Sequence, residues 1–104
     1  MIEVRARKRE KGWKVTMQGH AGMGEGGNDI VCAAASMLLT GCVYGLKKAE
    51  VQGLHFRLDA GDAEISVPKG LENDVRIEAM LDGLEMLAAT YPQAVKMVKD
   101  EGVR

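Results

Sequence analysis

The sequence predicts a two-layer α+β fold: a four-stranded sheet with two main helices on one face, in the order ββαββα. Three observations carry that expectation. Four short segments alternate apolar and polar residues with period two, two longer segments keep apolar residues at helical spacing, and glycine or proline punctuates the joints between them. The chain has 104 residues, enough for one domain over 1–104 with a core of its own.

Each element has a local reason. Ile2, Val4 and Ala6 alternate with Glu3, Arg5 and Arg7, the pattern of a half-buried strand. After a polar turn with Gly12, Trp13, Val15 and Met17 alternate with Lys14, Thr16 and Gln18, completing a hairpin. Asn28 or Asp29 offers an N-cap for a helix running to about Ala49, with Val31, Ala35, Leu38, Cys42 and Leu46 as its apolar stripe. Leu54, Phe56 and Leu58 form a third strand, Asp59 to Asp62 with Gly61 a turn, and Ala63, Ile65 and Val67 a fourth strand ended by Pro68. A second helix begins near Asn73, with a stripe of Ile77, Met80 or Leu81, Leu84, Leu87 or Ala88, and Tyr91. Pro92 stops it and suits the first turn of a short terminal helix through Val95 and Val98.

Composition narrows the function. Hydrophobic residues make up 46% of the chain, and 14 basic against 15 acidic residues leave a net charge of −1. No basic surplus is available to displace counterions, so direct nucleic-acid binding is not expected. The basic run Arg5, Arg7, Lys8, Arg9 and Lys11 is broken by Glu10 and reads as a solvated hairpin tip. The apolar stretch Ile30 to Gly45 falls short of the ~20 residues that cross a bilayer, so it reads as a buried helix with no membrane role. Cys32 and Cys42 sit ten residues apart on one helix, ~15 Å along its axis, beyond the ~7 Å that a disulfide tolerates. Unbridged thiols, with no apolar leader at the start, point to the reducing cytoplasm.

Two of these residues could do chemistry. Cys32 falls in the first turn of the first long helix, where the dipole and unpaired backbone N–H groups favour an anion, and the thiolate is the reactive form of cysteine. His20 closes the second strand and opens a glycine-rich loop holding Gly22, Gly24, Gly26 and Gly27. A histidine there can act as a base or simply sit in solvent. Asp29 can cap the helix or orient the imidazole, and Ser36, four residues after Cys32, can touch thiol or substrate or only pack. Cys42 on the apolar stripe reads as core, and His55 as exposed and idle. The loop meets a GxGxxG spacing, but no full doubly wound sheet fits this length and no lysine opens the helix, so a phosphate cradle is a poor reading. His20, Cys32 and Asp29 could together hold zinc, yet no CxxC or HxxxH spacing supports it, and no cofactor is expected.

Gly19-His20-Ala21-Gly22, followed by Asp29-Ile30-Val31-Cys32-Ala33-Ala34 and Ser36, resembles the signature of the ribosomal-processing cysteine protease family, Prp. The twelve-residue step from His20 to Cys32, the element order and the length agree with that family, so the resemblance covers nearly the whole chain. It implies a bacterial cysteine endopeptidase that removes an N-terminal extension from large-subunit ribosomal protein twenty-seven, cutting after an aromatic residue. By the same resemblance, Cys32 is the nucleophile, His20 its base, Asp29 and Ser36 motif residues, and the glycine loop a mobile cover over the substrate. A homodimer is implied as well. Met23 and the Gly26-Gly27 pair depart from the expected loop pattern. The competing reading is a non-catalytic module that binds a ribosomal protein partner without turnover.

Overall fold

A computed structural model describes residues 1–20, 30–100 and 102–104. Among them the chain runs β1 (Ile2–Lys8), β2 (Gly12–Gln18), α1 (Ile30–Lys48), β3 (His55–Asp59), β4 (Asp62–Pro68), α2 (Leu71–Thr90) and β5 (Val95–Lys99). The strands form a five-stranded sheet in the order β3-β4-β2-β1-β5, antiparallel except for the parallel pair β1 and β5.

The register explains the single core. Val4 pairs with Met17 and Ala6 with Val15, while Val15 in turn pairs with Ile65 and Trp13 with Val67. Side chains alternate across a strand, so these residues all fall on one face. Val31, Ala35, Leu39, Val43 and Leu46 of α1 and Ile77, Met80, Leu81 and Leu84 of α2 close over that face. By length and composition α1 could cross a membrane; here its buried stripe packs on the sheet, while Ile30, Met37 and Tyr44 stay exposed. The opposite face carries ion pairs such as Lys14–Glu64 at 3.7 Å.

Two expectations need correction. The segment after Pro92 is β5, not a terminal helix, which makes five strands instead of four. Val95 and Met97 face Ile2 and Val4 across the ladder, and the Ile2 N–H donates to the Ala94 carbonyl at 2.8 Å. Pairing with β1 gives the segment ladder bonds along one edge, continuing the sheet. α2 starts at Leu71, close to the expected Asn73, with Gly70 as its N-cap; Asn73 lies in the first turn and donates its amide to the Pro68 carbonyl at 3.0 Å. In α1 the centre of the buried stripe is Leu39 and Val43, while Leu38 and Cys42 are only partly buried at its flank. β3 is an edge strand exposed throughout, with Phe56 43% and Leu58 40% accessible.

The basic hairpin tip is balanced locally. Arg7 and Arg9 both reach Asp100 at 3.2 Å, and Lys8 reaches Asp74 at 3.4 Å.

Candidate active site

Cys32 is the third residue of α1 and half-buried. Its place in the first helical turn sets the thiol at the positive end of the helix dipole. No acidic residue occupies that first turn, so nothing within it opposes an anion. Ser36 and Thr40 follow at four-residue steps, which repeat one face of a helix, and the Thr40 hydroxyl donates to the Ser36 carbonyl at 2.7 Å.

His20 comes from the other layer. β2 ends at Gln18, and Gly19 turns the chain out of the sheet with φ +98°, its N–H donating to the Gly61 carbonyl at 2.9 Å. The exposed His20 imidazole then stands over Gly61 in the two-residue turn between β3 and β4. Arg57 clamps this turn, meeting Asp62 at 2.6 Å and Asp59 at 3.7 Å. The bond to Asp62 is the main cause holding the Arg57 guanidinium above its ordinary value.

A cavity of about 360 Å³ joins the two layers, and His20, Cys32, Ser36, Thr40, Leu58 and the turn Asp59 to Asp62 line it. The structure thus brings three of the sequence candidates, His20, Cys32 and Ser36, to one cavity. Asp29, Gly22, Gly24, Gly26 and Gly27 lie outside the described residues, and so does the loop that carries the glycines. Two parts of the cavity were not anticipated. Thr40 was legible in principle, as the next four-residue step after Cys32 and Ser36. The 59–62 turn was not, because only sheet pairing carries it to the end of β2.

The remaining cysteine and histidine lie elsewhere. Cys42 packs against α2 with its Sγ 3.8 Å from the Arg76 carbonyl. Burial pushes its thiol up to about 11, with the Arg76 charge pulling partly the other way. His55 is exposed at the start of β3 and away from the cavity. Among the described residues, no group of three metal-ligating side chains converges.

A thiol at a helix N-terminus and an imidazole on one cavity are the parts that acyl transfer requires: nucleophile, base and nearby N–H donors. The model of the cysteine protease Prp family matches residues 1–96. The chain belongs to the Prp family of cysteine proteases. Solved structures of the same fold include an essential ribosomal processing protease Prp from S. aureus in complex with a covalently linked product peptide. It is 30% identical, with a TM-score of 0.85, over 96% of this chain and all of the other. The same S. aureus protease in complex with a substrate peptide is 28% identical over the same shares, with a TM-score of 0.78. SMU.848 from Streptococcus mutans is 31% identical over 96% of each chain, with a TM-score of 0.73. No curated protein matches the chain. Prp membership makes the chain a cysteine protease, a peptide-bond hydrolase.

Proposed function

We propose that this chain removes the N-terminal extension of large-subunit ribosomal protein twenty-seven, cutting after an aromatic residue, with Cys32 as nucleophile and His20 as general base. The observation that carries the reading is the shared cavity, which draws His20 from the end of β2 and Cys32 from the start of α1. The ribosomal processing protease of S. aureus, similar over nearly the whole chain, supports the substrate class.

In this mechanism His20 takes the Cys32 proton and the Sγ electron pair attacks the scissile carbonyl, whose oxygen becomes an oxyanion. Backbone N–H groups at the start of α1 stabilise that charge. Collapse breaks the C–N bond, His20 delivers its proton to the departing amine, and a thioester remains on Cys32. Water, deprotonated by His20, then attacks the thioester, releasing the carboxylate product and restoring the thiol. No metal or cofactor enters any step. Ser36 and Thr40, one and two turns along α1, line the path beside the acyl group.

We further propose a homodimer and a cytoplasmic location. Ile30, Met37 and Tyr44 recur every seventh residue on α1 and are 74%, 69% and 64% exposed. Seven-residue spacing keeps them on one side of the helix, an apolar stripe suited to a second copy. The nucleophilic thiol must stay reduced to act, as the cytoplasm keeps it.

The deciding experiment incubates the protein with the extended ribosomal protein and follows intact masses, beside Cys32→Ala. One cut in the extension, absent from the variant, is expected. Stable association without any cut would favour a non-catalytic binding module for this substrate, and cleavage by Cys32→Ala would remove Cys32 from its role.

A further inference from the structure

Of the five described glycines with positive φ, Gly102 faces open space, and the other four differ in what a side chain at each would strike. A Cβ at Gly12 would lie 2.2 Å from the Val67 carbonyl oxygen, and one at Gly19 2.2 Å from that of Met1, both immovable backbone. At Gly53 it would meet the Pro68 ring at 2.8 Å. At Gly61, where φ is +71°, its nearest neighbours among the described residues would be atoms of the His20 imidazole, 2.7 Å from Nε2 and 2.9 Å from Cε1.

We propose that Gly61 is a positioning residue of the cysteine protease reaction: its bare Cα is the seat on which the His20 imidazole rests within the cavity that Cys32 shares. The inference depends on the assignment of His20 as base.

Two features make the seat rigid. The Gly19 N–H donates to the Gly61 carbonyl at 2.9 Å, so the residue before His20 is tied to the same residue that supports its ring. Asp59 and Asp62 pair across the turn, and Arg57 holds Asp62 through both its carboxylate and its carbonyl, the latter at 3.2 Å. His20 backbone and side chain therefore take their position from one turn. The imidazole is also a partner that can yield, unlike the backbone met at Gly12 and Gly19. His20 is exposed, so a methyl at position 61 is relieved by swinging the ring away and leaves the sheet intact. Such a displacement is cheap for folding and costly for catalysis, where misplacement by about 1 Å can cost about 100-fold.

The test compares Gly61→Ala and Gly61→Asn with Gly53→Ala, whose φ of +78° imposes a similar backbone demand outside the cavity. Asparagine tolerates positive φ, so Gly61→Asn relieves the backbone while enlarging the obstacle. Both Gly61 variants should keep the far-ultraviolet spectrum and near wild-type KM but lose about 10–100-fold in kcat. Their Cys32 alkylation by iodoacetamide at neutral pH should slow toward the rate of His20→Ala. Gly53→Ala should retain kcat and alkylation rate. Wild-type kcat and alkylation in Gly61→Ala would overturn the proposal, and so would recovery in Gly61→Asn, which would make the backbone the only requirement. Should the wild type cleave no peptide, the assigned function fails separately, and the alkylation rates alone decide for or against the seat.

Discussion

The indole N–H of Trp13 donates to the Asp74 carboxylate at 2.8 Å, joining β2 to the first turn of α2. The same carboxylate accepts from the Gly70 N–H at 3.1 Å and from Lys8 at 3.4 Å, and the Lys8 ammonium lies 4.9 Å above the Trp13 ring. Trp13 is only 2% exposed, so its N–H has no ready access to water. Asp74→Ala strands that donor, and a stranded buried donor costs about 1–3 kcal/mol. Denaturant unfolding should show a lower midpoint with an unchanged slope.

Acid should act through the same carboxylate. Burial pushes the Asp74 carboxyl upward, but the bonds from Trp13, Gly70 and Lys8 outweigh it and hold the group below its ordinary value. A carboxylate lower in the folded than in the unfolded chain stabilises the fold above its unfolded value, about 4. That contribution is lost as pH falls through the folded value. Asp74→Asn should therefore melt earlier than wild type at neutral pH, and the gap should close below about pH 4. A gap that is constant across a melting-temperature series from neutral to strongly acid pH would contradict this account.

The two cysteines should separate by reactivity. With its thiol pushed up to about 11 by burial, Cys42 holds almost no thiolate at neutral pH, the form that alkylation needs. Brief iodoacetamide treatment followed by peptide mass mapping should mark Cys32 and spare Cys42 until the protein is unfolded. Equal labelling of both in the native protein would show that the α1–α2 contact does not shield Cys42.

Gly19→Ala should damage the fold, in contrast to Gly61→Ala. Its Cβ would fall 2.2 Å from the Met1 carbonyl oxygen, and φ +98° is itself unfavourable for alanine. Backbone must move to admit it, and overpacking of this kind costs about 1–3 kcal/mol. Thermal unfolding should begin markedly earlier, with loss of activity following loss of structure.

The exposed stripe on α1 gives a test of assembly. Met37→Glu and Tyr44→Glu place charges on the surface proposed to meet a second copy, and sedimentation should show the wild-type dimer reduced to monomer. Both side chains are solvent-exposed, so the variants should keep the far-ultraviolet spectrum. A wild type that sediments as a monomer would remove the homodimer from the proposal.

What the sequence determined by itself is what local chemistry dictates. Period-two alternation located β1, β2 and β4, because a pleated strand sends successive side chains to opposite faces. Helical spacing located α1 and α2, and the Gly-His-Ala and Asp-Ile-Val-Cys-Ala-Ala segments singled out His20 and Cys32 through the family they resemble. The tertiary structure decided whatever depends on a distant partner. Val95 to Lys99 is too short for its apolar pattern to separate helix from strand, and only the open edge of β1 makes it a strand. Phe56 and Leu58 alternate as a half-buried strand should, yet they stand exposed because β3 ends up at the sheet edge. α1 is so richly apolar that either Leu38 or Leu39 could have faced the core, and packing on the sheet chose Leu39. The seat beneath His20 belongs to the same class. Gly61 lies 41 positions along the chain from the histidine, and no local rule relates two residues that meet only because β4 pairs with β2 and carries its turn to the end of that strand.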